Sequence, residues 1–120
     1  MNKRTVGTEY ELAAAAFLEK EGCRILMRNF RCRAGEIDLV AAEGAYLIFA
    51  EVKYRGGEGC GRGAEAVTDR KQYQISKTAL CYLARHGISP DTPCRFDVIT
   101  VDGGQIRHVR DAFPLHPACR

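Results

Sequence analysis

Three of the charged residues in a largely apolar stretch of the sequence have types and spacing that could support catalysis. They are Asp38, Glu51 and Lys53, within GEIDLVAAEGAYLIFAEVKYR at residues 35–55. The apolar residues on either side of Glu43-Gly44 predict two buried strands joined by a tight turn. Because strands that cover a core rarely carry carboxylates, Asp38 and Glu51 indicate a functional site.

The predicted hairpin determines which way these side chains point. With a two-residue loop at Glu43-Gly44, Asp38 would face Phe49 on the neighbouring strand. Asp38 and Glu51 are then diagonal neighbours about 7–8 Å apart at the backbone, which lets both side chains reach one ion. Alternate residues of a strand share a face, so Lys53 lies on the same side. A four-residue loop keeps this grouping, whereas a three-residue loop would break it.

Converging carboxylates on a sheet form an oxygen-ligand site suited to Mg²⁺ or Mn²⁺. Glu11, at the edge of the apolar face of a predicted helix, could add a third ligand, or could simply be a capping-box residue. Glu36, opposite Glu51 in this hairpin, is either a fourth ligand or a charge near the strand edge. Lys53 would stabilise charge on phosphorus and position an attacking water, which predicts phosphodiester hydrolysis. The plain alternative is a solvated sheet face with surface ion pairs.

Charge is distributed unevenly along the chain, although the net charge is only +3. Residues 36–52 contain four acidic and no basic residues. Residues 1–35 contain seven basic and four acidic residues, and residues 53–86 contain seven and three. An acidic segment that attracts a cation is therefore flanked by basic segments that attract a polyanion such as a nucleic acid.

Helix and strand signals predict an α/β fold. The predicted elements are a helix at 8–21, strands at 23–31, 35–41 and 45–55, a helix at 64–86, and strands at 94–101 and 105–109. Thr8 is the predicted N-cap of the first helix, and Gly22 and Gly87 are predicted to end the two helices. Because a helix connects the third and fourth strands, these two are expected to be parallel within a mixed sheet.

Length and composition limit the class of protein. We expect one domain over residues 1–120, with a core at about 5–110 and an irregular tail at 111–120. No stretch is apolar enough to span a membrane and no signal peptide is recognisable, which predicts a cytoplasmic protein without membrane contact. The six cysteines show no C-x-x-C pair, so we expect reduced, mostly buried thiols and no zinc site.

The motifs resemble those of a known family. Asp38 followed by Glu51-Val52-Lys53 is similar to the D…(D/E)-x-K signature of the PD-(D/E)XK nuclease superfamily, with Ile37 in the proline position. Five blocks in collinear order resemble the YraN-like family, which is similar to archaeal Holliday-junction resolvases: ELAAAAFL, NFRCRAGEIDL, FAEVKYR, EAVTDRK and RFDV. The resemblance covers roughly residues 5–102, with Tyr10 where the family would have Gly.

This resemblance implies a restriction-endonuclease-like α-β-β-β-α-β core with a mixed central sheet flanked by helices. It further implies that Glu11, Asp38 and Glu51 bind Mg²⁺ or Mn²⁺ and that Lys53 is catalytic. The expected activity is that of an endonuclease on branched or structured DNA, working as a homodimer. Two alternatives stay open: a non-catalytic nucleic-acid-binding or adaptor domain with the same fold, and an interaction module that binds a protein.

Several cations are candidates for contact with the DNA backbone, and otherwise are ordinary surface charges: Arg31, Arg33, Arg55 and Arg62. Lys71 interrupts an apolar helical stripe, which indicates either a phosphate contact or an aliphatic stem lying along the core. Asp97 is expected to be structural and paired with an arginine. Residues 56–63, GGEGCGRG, lack the Gly-Lys-Ser/Thr ending of a P-loop and are predicted to form a mobile loop.

Overall fold

The computed structural model describes residues 3–55 and 67–119, and describes side chains over 9–54 and 67–119. The elements are α1 (Lys3–Lys20), β1 (Arg24–Cys32), β2 (Gly35–Glu43), β3 (Tyr46–Arg55), α2 (Asp69–Arg85), β4 (Cys94–Asp102), β5 (Gln105–Phe113) and a 3-10 turn (Pro117–Cys119). The five strands form one mixed sheet in the order β1-β2-β3-β4-β5. β3 and β4 are parallel and the other neighbours antiparallel, which confirms the predicted α/β fold.

Each face of the sheet is covered by one helix. Residues from α1 pack with Leu39, Ile48, Ala50 and Ile99 on one face. Residues from α2 pack with Val40, Phe49, Phe96, Val98 and others on the opposite face. Because both faces are covered, the central strands are buried at consecutive positions rather than alternate ones, as LIFA in β3 and FDVITV in β4 show.

The first helix begins earlier than predicted. It starts at Lys3 rather than at an N-cap on Thr8, so Glu11 lies in the helix interior and the capping-box interpretation of Glu11 is wrong. Nothing in the preceding residues stops a helix, since a single glycine costs only about 1 kcal/mol. The predicted end is confirmed: Gly22 has φ 97°, and the Cys23 amide donates to the Leu18 carbonyl at 2.9 Å.

The second helix begins at Asp69, later than predicted, and Thr68 is its N-cap, with a side chain that accepts from the Lys71 amide at 3.2 Å. Residues 64–66, where the helix was predicted to begin, lie outside the described residues. Its predicted end is confirmed, because Gly87 has φ 63° and the Ile88 amide donates to the Leu83 carbonyl at 2.9 Å. The hydrogen bond from the Lys71 amide to Thr68 therefore holds Lys71 in the first turn of α2.

The turn between β2 and β3 lies one residue later than predicted. Glu43 pairs with Tyr46, so the loop is Gly44-Ala45, and Gly44 has the positive φ of 58° that such a turn requires. This moves the register by two residues. Asp38 therefore lies opposite Glu51 rather than Phe49, while the predicted sharing of one face is retained because a two-residue change preserves alternation.

A buried network of hydrogen bonds and ion pairs around Asp97 connects β4 to β5. The Asp97 carboxylate accepts from Arg95 at 2.9 and 3.0 Å, bonds His108 Nε2 at 2.7 Å and accepts from the Asp111 amide at 2.9 Å. Burial acts to raise the pKa of Asp97, but the His108, Arg95 and amide hydrogen bonds outweigh it and lower that pKa. The prediction that Asp97 is structural agrees with these contacts.

The end of the chain and the cysteines differ from prediction. β5 extends to Phe113, so part of the predicted irregular tail is strand. The five cysteines within the described residues are all free thiols, but only Cys23 is buried and the other four are half-buried. Within the same residues, no helix is long and apolar enough to cross a membrane.

Candidate active site

The candidate site lies where β2 and β3 separate. Pairing between these strands runs from the turn to Leu39 opposite Ala50. Beyond that pair β2 continues along β1, and β3 continues along β4. Asp38 and Glu51 are the next residues on the two strands, so they face each other at the mouth of a fork. Such a fork leaves backbone groups available, and the Val52 amide donates to Asp38 Oδ2 at 2.8 Å.

Asp38 and Glu51 lie opposite each other, and the charge of Glu51 also acts on the pKa of Asp38. Burial, a hydrogen bond with Glu51 and the Glu51 charge raise the pKa of Asp38 to about 8, against the lowering effect of the Val52 amide. The Glu51 side chain is only 11% exposed, so water screens this repulsion poorly. Near neutral pH, Asp38 therefore retains a proton that it shares with Glu51. A cation placed between the two carboxylates would relieve the same repulsion.

Glu11 contributes from the opposite layer. It is half-buried on α1, and its charge also acts to raise the pKa of Asp38, which places it within electrostatic reach of that carboxylate. The preceding residue, Tyr10, stacks on Tyr54 with ring centroids 3.9 Å apart and an interplanar angle of 18°. Since Tyr54 follows Lys53 on β3, this stack holds the Glu11 turn of α1 against the strand that carries the predicted catalytic lysine.

The donor set fits a hard cation, because carboxylate oxygens are the ligands that Mg²⁺ and Mn²⁺ prefer. Among the described residues, no three His, Cys, Asp or Glu side chains lie close enough together to hold a metal ion as they stand. Asp38 and Glu51 therefore form a two-carboxylate core, with Glu11 at longer range. Magnesium commonly uses one or two carboxylates, so this core satisfies the minimum requirement for such a site.

Lys71, which the sequence pattern singled out, has a partner that the sequence did not predict. Its Nζ lies 3.2 Å from Glu51 Oε2, with the lysine side chain 47% exposed. The apolar stripe interrupted by Lys71 is confirmed, since Ile75 and Ala79 are buried and Val67 packs against their cluster. The lysine breaks that stripe because it faces a carboxylate on the sheet, a reason neither of the predicted alternatives included. The interrupted stripe indicated a special environment for Lys71, but it could not indicate Glu51 as the partner.

Lys53 retains its predicted placement. Leu47 and Phe49 of β3 pack on the α2 face of the sheet, and alternation continues that face through Glu51 to Lys53. Lys53 is half-buried and pairs with Thr100 of β4 in the ladder. The catalytic-lysine prediction is therefore compatible with the register, which sets Lys53 two residues along β3 from the carboxylate pair.

The predicted nucleic-acid contacts are only partly described. Arg31 and Arg33 are exposed, and Arg31 Nε lies 3.1 Å from Glu36 Oε2. Glu36 lies opposite Arg31 on β1, so this ion pair explains it as a charge near the strand edge rather than a fourth ligand. The Arg55 side chain, Arg62 and the predicted loop at 56–63 lie outside the described residues. Arg31 and Arg33 are on exposed surface at the end of the β1–β2 hairpin.

Comparison with known proteins identifies the family. The model of the uncharacterised protein family UPF0102 matches residues 10–101. The chain belongs to this family. A UPF0102 protein of Lachnoclostridium phytofermentans is 47% identical over 116 residues, covering 97% of this chain and 98% of that protein. A UPF0102 protein of Symbiobacterium thermophilum is 48% identical over 115 residues, covering 92% and 97%.

The YraN resemblance is confirmed at the level of this family. The UPF0102 protein YraN of an Escherichia coli strain is 39% identical over 117 residues, covering 97% of this chain and 89% of that protein. The segment matched by the UPF0102 model contains the two facing carboxylates and the three charged residues around them: Glu11, Asp38, Glu51, Lys53 and Lys71. The candidate site thus lies within the part of the chain that defines its membership.

Proposed function

We propose that this protein is a metal-dependent endonuclease that hydrolyses phosphodiester bonds of DNA. The observation that supports this most directly is the pair formed by Asp38 and Glu51 at the fork between β2 and β3. A half-buried hydrogen-bonded pair of carboxylates is costly to the fold, as the raised pKa of Asp38 shows. Such strain is typical of a site kept for function rather than for stability.

Each residue of the site has a role in this reaction. Asp38 and Glu51, with Glu11 at longer range, would hold Mg²⁺ or Mn²⁺. A bound metal of this kind supplies a Lewis acid and favours ionisation of a water molecule. The Lys53 ammonium, on the same face as Glu51, stabilises the negative charge that accumulates on phosphate oxygens in the transition state. The fork leaves these groups open at the end of the sheet rather than enclosed in the core.

Lys71 has a different role in this proposal. In the structure it neutralises Glu51 at 3.2 Å, as a cation of the protein itself. Its side chain is half-exposed, so it can leave Glu51 and contact a substrate phosphate when another cation takes its place. The exposed Arg31 and Arg33 add sequence-independent contacts to the DNA backbone. We propose branched or structured DNA as the substrate and a homodimer as the working form, by analogy with resolvases.

The same ion pair favours a second candidate function. If Lys71 holds Glu51 permanently, the carboxylate pair needs no metal, and the domain would bind nucleic acid without cleaving it. Binding would then be independent of Mn²⁺ and would produce no nicks. This adaptor function uses the same fold and the same exposed arginines, so only turnover separates the two proposals.

The test is cleavage of defined DNA by purified protein. Junction, flap, single-stranded and linear DNA would each be incubated with Mn²⁺ or with chelator, using wild type and Glu51→Gln. Glu21→Gln provides a matched control, because Glu21 is an exposed glutamate directly after α1. We expect Mn²⁺-dependent cleavage by wild type and the control, and none by Glu51→Gln. Binding without cleavage under every condition would support the adaptor function instead.

A further inference from the structure

Two thiols meet at the opposite end of α2 from Lys71. Cys32 is the last residue of β1, and Cys81 lies in the C-terminal half of α2. A side-chain interaction with Cys81 lowers the pKa of the Cys32 thiol, so the two sulfurs are neighbours although they are far apart in the chain, and both residues line one cleft. Both residues are free and half-buried, which leaves them accessible to small reagents.

The groups around Cys32 favour its thiolate. The amides of Ala34 and Gly35 and the dipole of the Thr78 hydroxyl also lower the pKa of Cys32, while the Thr78 proton itself is donated to the Gln74 carbonyl at 2.7 Å. Burial acts to raise the pKa of Cys32, but these donors and the Cys81 thiol outweigh it and lower that pKa. Gly35 allows the turn to pack tightly on α2, since a Cβ there would lie 3.2 Å from Thr78 Oγ1.

Cys81 has the complementary environment. Burial, the hydrogen bond with Cys32 and the Cys32 charge raise the pKa of Cys81, so it remains a thiol while its neighbour ionises. Other described cysteines differ from Cys32: the Cys94 thiol donates to the Thr92 carbonyl at 3.3 Å, an arrangement that favours the protonated form. The two neighbouring thiols are therefore unequal, with one nucleophile and one proton carrier.

The pair opens into a basic cleft. Cys32 and Cys81 line a cleft of about 700 Å³ together with Arg33, Lys77 and Arg85. The Arg85 Nη1 donates to the Arg31 carbonyl at 3.3 Å, which holds this guanidinium beside the β1–β2 turn. Cations around a sulfur favour its ionised form and stabilise an anionic leaving group. The cleft admits a small oxidant to both sulfurs.

We propose that Cys32 and Cys81 form a redox-active pair that a hydroperoxide converts into an intramolecular disulfide. The Cys32 thiolate attacks one peroxide oxygen: an S–O bond forms, the O–O bond breaks, and the other oxygen leaves as an alkoxide or hydroxide that takes a proton from water. Cys32 is thereby oxidised to a sulfenic acid and the peroxide is reduced. The Cys81 sulfur then attacks Cys32, the S–O bond breaks, and hydroxide leaves with the Cys81 proton as water.

The test uses the full chain and hydrogen peroxide. Cys60→Ser serves as the starting protein, because Cys60 lies outside the described residues and could form other pairs. After reduction and brief peroxide treatment, alkylation and peptide mass spectrometry would identify any disulfide. We expect one Cys32–Cys81 disulfide, reversible by dithiothreitol, with Cys94 and Cys119 still alkylated.

Two variants assign the roles within the pair. In Cys81→Ser, Cys32 should accumulate as a sulfenic acid that reacts with dimedone, since its resolving thiol is missing. In Cys32→Ser, Cys81 should react with peroxide at least tenfold more slowly than Cys32 does in the starting protein. Oxidation of all described cysteines at similar rates, or a disulfide that excludes Cys32 or Cys81, would overturn the proposal. The outcome is independent of DNA cleavage.

Discussion

The ammonium of Lys71 lies 3.2 Å from a carboxylate oxygen of Glu51, which connects the first turn of α2 to the two-carboxylate core. The contact explains how three acidic side chains are tolerated near one another in a half-buried site. It also places a protein cation where the proposed metal ion would bind. In that proposal, the charge of Lys71 and the charge of a bound cation compete for Glu51.

This competition predicts the behaviour of Lys71→Ala. Without Lys71, Glu51 and Asp38 repel each other with less compensation, but the Lys71 side chain is 47% exposed, so water screens its ion pair and the loss of stability in chelator should be only about 0.5 kcal/mol. Mn²⁺ should then stabilise the variant more than wild type, because no protein cation has to be displaced. Thermal melting with chelator and with Mn²⁺ measures both effects. Lys77→Ala, an exposed lysine on the same helix, is the control.

Lys53→Ala should separate catalysis from metal binding. In the proposed mechanism Lys53 acts on charge that develops in the transition state, so its removal should lower the cleavage rate by about 10²–10³-fold while the shift in melting temperature with Mn²⁺ is nearly retained. Single-turnover cleavage and melting curves check the two halves of this statement. An unchanged cleavage rate would remove Lys53 from the mechanism.

The β2–β3 hairpin shows why the sequence predicts that Asp38 and Glu51 share a face but does not predict that they lie directly opposite each other. Glu43-Gly44 and Gly44-Ala45 are both plausible two-residue turns in the sequence, and moving from one to the other changes the pairing by two residues. The grouping of Asp38 with Glu51 survives such a change because side chains alternate with a period of two. Their direct opposition does not survive it, since it depends on which turn closes.

Contacts between distant elements could not be predicted in the same way. The position of Lys71 in an apolar stripe indicated a special environment, but its partner depends on how α2 packs across the sheet. The contact between Cys32 and Cys81 depends on the same packing and on the tight approach that Gly35 allows. Local patterns determine helices and strands, whereas these pairs arise only when a helix face meets a particular strand end.

Binding to DNA should depend steeply on salt. Arg31 and Arg33 are exposed, and basic segments flank the acidic residues 36–52. Phosphate contacts of this kind release counterions, so affinity measured in Ca²⁺, which should fill the site without turnover, is expected to fall by about tenfold or more between 50 and 200 mM salt. Fluorescence anisotropy with labelled junction DNA measures this. A flat salt dependence would favour a protein partner.

Asp97→Asn should destabilise the fold without involving the candidate site. Asp97 is 1% exposed and pairs with Arg95, so its neutralisation removes one of the two carboxylates that compensate this largely buried guanidinium, at a cost of about 3 kcal/mol. Its lowered pKa means that the stabilisation is present above the ordinary value of 3.8 and is lost as pH falls below it toward the folded-state pKa. Denaturant unfolding between pH 3 and 7 tests this. Asp91→Asn, at an exposed position, is the control.

The pH dependence of Asp38→Asn provides the sharpest distinction between a metal site and a structural one. The pKa of Asp38 is raised from 3.8 to about 8, so the folded state holds a proton that the unfolded chain has released. In chelator, wild-type stability should therefore fall as pH rises between about 4 and 8, by up to about 1.4 kcal/mol per pH unit. Asparagine resembles the protonated carboxyl: it can accept from the Val52 amide and donate to Glu51.

The variant should consequently match wild type near pH 4 and exceed it increasingly up to pH 8, with most of that slope removed. When Mn²⁺ is added at pH 8, the variant should gain less stability than wild type. One charged side chain that binds the metal is missing, and a metal ion that binds more weakly stabilises the native state less. A structural Asp38 predicts the reverse pattern: lower stability at pH 8 in chelator and an equal response to Mn²⁺. Melting curves of both proteins at pH 5 and 8, with chelator and with Mn²⁺, distinguish the two, and the reverse pattern would exclude Asp38 as a metal ligand.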